Sequence, residues 1–152
     1  RLLAFNDLYL GARTHVSSQY RLRVGKGDWV RHSSSGVIVS TGAGSTGWLS
    51  SVCAMASQVS SALGGKPVKP VRLEWGDPSL FYVVREPFVS KQSSADCSVG
   101  VVSAETPLQL ESLMPSGGVI FSDGMEDDAL HFTSGLVARI GPAAQRARLV
   151  SQ

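Results

Sequence analysis

The sequence predicts a mostly β fold of the α+β class, with one main helix at about residues 46–63. Most apolar residues fall in short runs separated by Gly, Pro, Ser and Asp, which is the pattern of strands and turns. A single segment instead repeats its apolar residues at the spacing of one helix face. The 152 residues are 43% hydrophobic and 17% charged, a composition typical of one globular domain with a buried core.

A β-hairpin is predicted over residues 18–32. Its first strand alternates apolar and basic residues, in the order Tyr20, Arg21, Leu22, Arg23, Val24. This alternation places the apolar side chains on one face of the strand and the arginines on the other. The Gly-Lys-Gly-Asp segment at residues 25–28 predicts the turn into the second strand.

A second kind of strand is predicted at residues 36–40, Gly-Val-Ile-Val-Ser. This continuous apolar run fits a strand that is covered on both faces. The remaining predicted strands lie at residues 2–5, 80–84, 98–102, 107–113, 119–121 and 136–140.

The helix follows the strand at 36–40 after a short turn. Its predicted buried face consists of Trp48, Val52, Met55, Val59 and Leu63. Ser45 or Thr46 is placed to cap its start, and Gly64-Gly65 is placed to end it. Because the segment is rich in serine, we expect packing rather than intrinsic helix propensity to stabilise it.

The turn before the helix, residues 41–47, is made of small residues. Such a turn exposes backbone N–H groups and the positive end of the helix dipole, which together bind phosphate-type anions. Ser45 and Thr46 add hydroxyl groups, and Trp48 offers a flat face for a purine. The segment lacks the Gly-Lys-Ser/Thr ending of a P-loop and the spacing of the Rossmann glycines. The pattern alone therefore leaves open a purely structural turn with Trp48 in the core.

Residues 40–48, Ser-Thr-Gly-Ala-Gly-Ser-Thr-Gly-Trp, resemble the NAD kinase signature Thr-Pro-Thr-Gly-Ser-Thr-Ala-Tyr. In that family the signature also follows a buried strand and opens a helix. Thr41, Gly44, Ser45 and Thr46 match it by identity, and Trp48 replaces the family's tyrosine with another aromatic ring. The other positions depart from the signature but keep small residues.

A second resemblance lies upstream, where residues 3–8, Leu-Ala-Phe-Asn-Asp-Leu, are similar to the family's Ala-Leu-Asn-Glu/Asp-Val motif. The resemblance implies that Asn6 and Asp7 contact the ribose of a dinucleotide. An amide and a carboxylate at the end of a strand can hold vicinal sugar hydroxyls by hydrogen bonds. The alternative is a strand end whose Asn and Asp bond their own backbone. Residues 85–88 and the Asp-Gly turn at 122–124 give weaker matches.

The resemblance implies the β-sandwich-like C-terminal domain of an NAD kinase, which binds the dinucleotide and assembles a homo-oligomer. NAD is then the substrate, and NAD or NADP the bound dinucleotide. The intact enzyme would use ATP or polyphosphate, with Mg²⁺, to phosphorylate the 2′-hydroxyl of NAD. The family's Gly-Gly-Asp-Gly motif, whose aspartate is the general base, does not occur in these 152 residues.

We therefore expect residues 1–152 to be one domain of a longer, two-domain protein, since the chain opens at Arg1 rather than Met. We expect no catalytic residue and no metal site in this chain, and an isolated domain that is inactive or nearly so. The other interpretations are a non-catalytic nucleotide-binding or oligomerisation module, and a relative of lipid or sugar kinases.

One departure concerns the position before the strand at 36–40, where the family usually carries an aspartate. Here that position is Ser35, which can form hydrogen bonds but offers no charge to a cationic nicotinamide ring. Together with Trp48 and the Gly-Ala-Gly turn at residues 42–44, this difference places the chain in a divergent branch, whose ligand could be NAD, NADH, another nucleotide or an unrelated molecule. The residues expected to contact the ligand are Asn6, Asp7, Ser35, Thr41, Ser45, Thr46 and Trp48.

The charge and hydropathy of the sequence argue against nucleic acid and membranes as partners. The formal net charge is +2, and basic residues such as Arg21, Arg23 and Arg31 are scattered singly, so no nucleic-acid partner is expected. No apolar run is long enough to span a bilayer and no signal peptide opens the chain, so we expect a cytoplasmic protein without a membrane partner.

The cysteines, histidines and acidic run suggest no further site. Cys53 and Cys97 have no CxxC partner and are expected to be reduced core residues, although the sequence leaves their pairing open. The three histidines lack metal-ligand spacing. Residues 126–128, Glu-Asp-Asp, are predicted to be a solvated loop rather than a Mg²⁺ site.

Overall fold

The computed structural model describes residues 1–147, which form ten strands and one α-helix. The strands of the six-stranded sheet are β1 (Asp7–Ala12), β4 (Val37–Ser40), β5 (Leu80–Val84), β6 (Val99–Val102), β8 (Gly118–Ser122) and β9 (Met125–His131). Those of the four-stranded sheet are β2 (Ser18–Val24), β3 (Val30–Ser34), β7 (Leu108–Ser112) and β10 (Val137–Ile140). The helix is α1 (Trp48–Ala62), preceded by a 3₁₀ turn at Gly44–Thr46.

The two sheets pack over a common core. Their strand orders are β6-β5-β4-β1-β8-β9 and β10-β7-β2-β3, and every pair of neighbours is antiparallel. The core joins Leu10 and Val37 of the first sheet to Tyr20, Leu22 and Leu110 of the second. The predicted mostly β, sandwich-like fold with one main helix is therefore confirmed for the described residues.

The central strand β4 is buried on both faces, as its apolar run predicted. Val37 and Val39 face the core between the sheets, and Ile38 points the other way because side chains alternate along a strand. Helix α1 covers this second face through Leu49 and Cys53. The predicted hairpin over 18–32 is also confirmed as β2 and β3.

The predicted face and cap of the helix are partly wrong. Met55, Val59 and Leu63 are 50%, 53% and 83% exposed, whereas Leu49 and Cys53 are buried. Helical periodicity shows which residues share a face, but not how far the sheet extends beneath the helix. The residue at the N-cap position is Gly47, and no side chain caps the helix.

The predicted end of the helix is confirmed. The N–H of Gly64 donates to the carbonyl of Ser61, and the N–H of Gly65 donates to that of Ser60. These two bonds are the Schellman pattern that satisfies the last carbonyls of a helix.

Three further expectations need correction. Residues 2–5 are not a strand, and Leu3 and Phe5 are about half exposed; the strand begins at Asp7. Residues 126–128 are solvated, as expected, but they belong to β9 rather than to a loop. Acidic side chains on such an edge strand discourage pairing with another chain.

The third correction concerns the cysteines. Cys53 is buried, Cys97 is exposed, and the two do not form a disulfide. Cys97 is therefore not a core residue, contrary to expectation.

Within residues 1–147, no helix combines the length and hydropathy that crossing a bilayer requires.

His32 is a buried histidine at the edge of the four-stranded sheet. It lies opposite Tyr20 in the β2–β3 pair, and the two rings stack with centroids 5.5 Å apart. Neither ring nitrogen has a hydrogen-bond partner among the described residues. Burial lowers the pKa of His32, and the nearby Asp96 has a smaller effect in the opposite direction. The folded state therefore favours the neutral ring.

We expect acidification to destabilise the protein through His32. Because its folded-state pKa lies below the unfolded value of about 6.5, the unfolded chain binds the proton more readily. The free energy of unfolding should fall as pH drops below that value, by up to about 1.4 kcal/mol per pH unit. Urea unfolding between neutral and mildly acidic pH measures this slope.

The variant His32→Phe keeps an aromatic ring beside Tyr20 and should show a shallower loss of stability with acid. His15→Gln, at an exposed histidine, is the matched control and should keep the wild-type slope. Equal slopes for His32→Phe and the wild type would contradict the assignment.

Candidate functional site

The two segments singled out in the sequence cross each other at one end of the six-stranded sheet. The Thr41 hydroxyl donates to the carbonyl of Phe5 (2.7 Å) and accepts the N–H of Gly44 (3.2 Å). The N–H of Thr41 donates to the carbonyl of Asn6 (2.9 Å). The threonine of the signature therefore joins the turn to the Asn-Asp motif.

Gly42 and Gly44 are small because other parts of the chain lie against them. A Cβ at Gly44 would overlap the carbonyl oxygen of Asn6, and one at Gly42 would overlap that of Glu74. The absence of a side chain thus permits close approach of backbone to backbone. This requirement is distinct from the close approach of a ligand that the sequence suggested.

Asp123 holds the same region from a third direction. It forms the β8–β9 turn with Gly124, and their φ angles of 53° and 75° fit a type I′ hairpin. Its carboxylate accepts the N–H groups of Phe5 (2.8 Å), Asn6 (2.6 Å) and Asp7 (3.1 Å). Its own N–H donates to the carbonyl of Asp7 (2.9 Å). Asp123 therefore fixes the backbone that presents the Asn6-Asp7 pair.

The first cavity, of about 290 Å³, opens where these segments meet. Its walls include Asn6, Asp7, Thr46 and Trp48. Contrary to expectation, Asn6 and Asp7 stand at the start of strand β1 rather than at the end of a strand.

Asp7 is the only acidic residue predicted for the site, and it is half-buried. Burial raises the pKa of Asp7, and the nearby charge of Asp123 raises it further, while the Ser40 hydroxyl lowers it. Its Oδ1 is buried and has no hydrogen-bond partner among residues 1–147. This oxygen lies beside Gly44, and a buried acceptor without a donor is unusual in a folded protein.

Three aromatic residues form a wall of the first cavity. The rings of Tyr9 and Trp48 are nearly parallel, 5.8 Å apart, and those of Tyr9 and Phe121 are 4.9 Å apart. The Tyr9 hydroxyl donates to the carbonyls of Ala12 (3.0 Å) and Ser35 (3.2 Å). Burial raises the pKa of Tyr9, so the phenol stays protonated as this donor.

The second cavity, of about 470 Å³, lies on the other side of these aromatic residues and shares all three. It adds Ser35, Arg13, His15 and Arg85, together with the carboxylates Glu86 and Glu126. The guanidinium of Arg85 lies 5.3 Å from the centre of the Trp48 ring, within cation–π range. The N–H of Ser35 donates to the carbonyl of Arg85 (2.9 Å), which fixes both residues at the rim.

The structure brings five of the seven predicted residues to these cavities. Asn6, Asp7 and Thr46 line the first, Ser35 lines the second, and Trp48 lines both.

Thr41 and Ser45 line neither cavity. The hydroxyl of Thr41 is used within the chain, and Ser45 is buried, with its hydroxyl donating to the carbonyl of Gly42 (2.8 Å). The site also gains Tyr9, Phe121 and Asp123, which sequence reasoning missed as site residues.

Two other observations limit the choice of site. A larger cavity of about 570 Å³ lies near β9 and β10, but its lining is mainly apolar and includes none of the predicted residues. Within residues 1–147, no three His, Cys, Asp or Glu side chains are grouped as metal ligands.

No protein-family model matches the sequence, and the comparison with curated proteins finds no match. Among solved structures, the chain is similar to an NAD kinase from Archaeoglobus fulgidus in complex with ATP. The identity is 25% and the TM-score 0.56, over 94% of this chain and 47% of that one. It is also similar to yeast NADH kinase complexed with NADH. Here the identity is 17% and the TM-score 0.52, over 90% of this chain and 34% of the yeast chain.

The chain thus spans about half or less of the length of these kinases. The predicted likeness to the NAD kinase fold is confirmed. The similarity to the yeast enzyme supports the fold alone.

We expect Asp123→Asn to destabilise the protein by about 1–2 kcal/mol, because it removes a charged acceptor from three backbone N–H groups. Asn-Gly suits a type I′ turn as well as Asp-Gly does, so the substitution tests the carboxylate and not the turn. Urea unfolding measures the loss. Asp127→Asn, on the exposed neighbouring strand, is the control and should change stability little; equal effects of the two variants would show that the carboxylate does not hold this region.

Proposed function

We propose that this chain binds an NAD-type dinucleotide across the two cavities, as the C-terminal domain of a divergent NAD kinase-like protein. The observation that carries the proposal is that two adjoining cavities share one aromatic wall. A dinucleotide consists of two nucleosides joined by a pyrophosphate, and therefore needs two adjoining pockets. The cavity volumes, about 290 and 470 Å³, suit its two halves.

The first cavity would hold a nucleoside. Asn6 and Asp7 present an amide and a carboxylate to the vicinal hydroxyls of a ribose. The Thr46 hydroxyl lies at the exposed rim. Trp48 and Phe121 provide apolar ring surface for the base.

The second cavity would hold the more anionic part of the ligand. Arg13 and Arg85 offer guanidinium groups, which bind phosphate oxygens through paired hydrogen bonds. Ser35 adds a hydroxyl without a negative charge. The cavity also holds Glu86 and Glu126, so Ser35 leaves the two arginines balanced by two carboxylates, without the third that the family's aspartate would bring.

The parent protein would transfer phosphate from ATP or polyphosphate to the 2′-hydroxyl of NAD, and its general base and Mg²⁺ ligands would come from residues beyond this chain. The proposal includes a homo-oligomer in the cytoplasm. The proposed kinase activity is supported by the likeness to an archaeal NAD kinase, which is about twice as long as this chain. A module that only binds nucleotides is the alternative, and an assay of NADP formation by the parent protein distinguishes the two.

We expect calorimetric titration to show binding of NAD, NADH or NADP, and Asp7→Asn to weaken it about tenfold through loss of charge-assisted hydrogen bonds. Trp48→Leu, which removes the shared aromatic wall, should weaken binding similarly, and Thr46→Ala should weaken it less. Asp127→Asn is the matched control because it removes an equal charge outside both cavities. Absence of binding, or binding that Asp7→Asn leaves unchanged, would overturn the assignment.

The affinity should also depend on pH through Asp7. Burial raises the pKa of Asp7 above its ordinary value of 3.8. As the pH falls, Asp7 should therefore become protonated before ordinary aspartates do, and the carboxylate is then lost as a hydrogen-bond acceptor. The dissociation constant should therefore rise on acidification before ordinary carboxyl groups titrate. In Asp7→Asn, the same titration series should be flatter; a wild-type profile equally flat would exclude a bound carboxylate at this position.

A further inference from the structure

The outer face of the four-stranded sheet collects arginines that are scattered along the sequence. Arg21 on β2 pairs directly with Arg31 on β3, and Arg23 on β2 shares Gln109 of β7 with Arg139 on β10. Residues paired in this way point to the same face of a sheet. Their neighbours along the strands, among them Tyr20, Leu22 and Leu110, fill the core, so the arginines point outward. These four arginines, with Trp29, form what we call the arginine face.

The arginine face is strongly unbalanced in charge. On the described strands of this sheet, the acidic residue that shares the face is Glu111, which forms an ion pair with Arg21. Among residues 1–147, Arg23, Arg31 and Arg139 form no ion pair. The four arginines and Glu111 give this face a net charge of +3, although the whole chain carries only +2. Basic residues that are scattered singly along the sequence are thus brought together by the sheet.

The pairing of Arg21 with Arg31 places two positive charges opposite each other on neighbouring strands. Like charges directly opposite each other on neighbouring strands destabilise a sheet. Arg21 and Arg31 are both exposed, and within the described part of the chain only Arg21 has a carboxylate beside it. A bound anion would relieve this repulsion.

Trp29 orders the centre of the face. The guanidinium of Arg23 lies 4.4 Å from the centre of the Trp29 ring, and that of Arg21 lies 5.8 Å from it. Arg23 also donates to Oε1 of Gln109 (3.1 Å). Stacking on the ring holds these guanidinium groups in place, which reduces the entropy lost when they bind an anion.

We propose that the arginine face binds single-stranded nucleic acid. Guanidinium groups pair with phosphate oxygens through two hydrogen bonds, and here several lie on a flat surface. Base–aromatic stacking and a basic surface together are the common means of holding a single strand. Bases stack on guanidinium planes as well as on aromatic rings, so the Arg23 guanidinium over Trp29 offers a base a planar surface. An acidic polypeptide would match the charge, but it would gain nothing from this surface. The face lies on the sheet opposite the dinucleotide cavities, so this proposal is independent of the proposed function.

The test is fluorescence anisotropy of a labelled mixed-sequence single strand with the full chain, over a series of salt concentrations. Each phosphate contact contributes about −0.7 to the slope of the logarithm of the binding constant against the logarithm of the salt concentration. One contact for each of the four arginines should therefore give a slope of about −3. The double variant Arg31→Gln, Arg139→Gln should bind severalfold more weakly and reduce the slope to about half. The exposed residue Arg72 lies off this face, and Arg72→Gln is the matched control with an unchanged slope.

A thermal unfolding curve confirms that each variant is folded before its affinity is compared. No binding at low salt would overturn the proposal, as would an equal slope for the double variant and the control. Polyglutamate of equal charge serves as competitor. Displacement by polyglutamate at the same charge concentration as unlabelled nucleic acid would instead identify the partner as an acidic polypeptide.

Discussion

The site depends on the way in which Asp123 holds the start of strand β1. Its carboxylate gathers three consecutive backbone N–H groups, while Thr41 holds the carbonyls of Phe5 and Asn6. The first strand is thereby fixed at its beginning by the strands on both sides, β4 and β8. Because Asn6 and Asp7 lie in this stretch, their side chains are placed by backbone bonds rather than by packing. A rigid backbone beneath a polar pair is what selective binding of sugar hydroxyls requires.

The same arrangement explains the unusual electrostatics of Asp7. The structure places a second carboxylate, Asp123, close to it and removes water from around it, and both effects raise its pKa. Asp123 already has its backbone partners, whereas Oδ1 of Asp7 has none among the described residues. Of the two carboxylates, Asp123 therefore stabilises the fold, and Asp7 is the one to which we assign the ligand in the proposed function. Perturbed carboxyl groups of this kind are concentrated at functional sites.

The sequence predicted what depends on neighbours along the chain. The hairpin at 18–32, the strand at 36–40, the end of the helix and most other strands follow from local periodicity and turn residues. It missed what depends on the register between distant strands. Tyr9 and Phe121 meet because β1 pairs with β8, and nothing in the order of residues shows that pairing. Asp123 was recognised as part of a turn, but its bonds to residues 5–7 cross more than a hundred positions. The approach of Arg139 to Arg23 has the same origin, because β10 and β2 both pair with β7.

The character of the second cavity follows from one position in the same way. The family resemblance places an aspartate where this chain has Ser35, at the start of the central strand. With serine there, the N–H of residue 35 donates to the carbonyl of Arg85, but the side chain brings no negative charge. Arg85 then has only Glu86, at 3.8 Å and largely exposed to water, as an acidic partner among the described residues. A water-exposed pair contributes little energy, so the guanidinium over Trp48 stays available to an anion. Two arginines and two glutamates line this cavity, so serine at position 35 leaves it without the further negative charge that an aspartate would add.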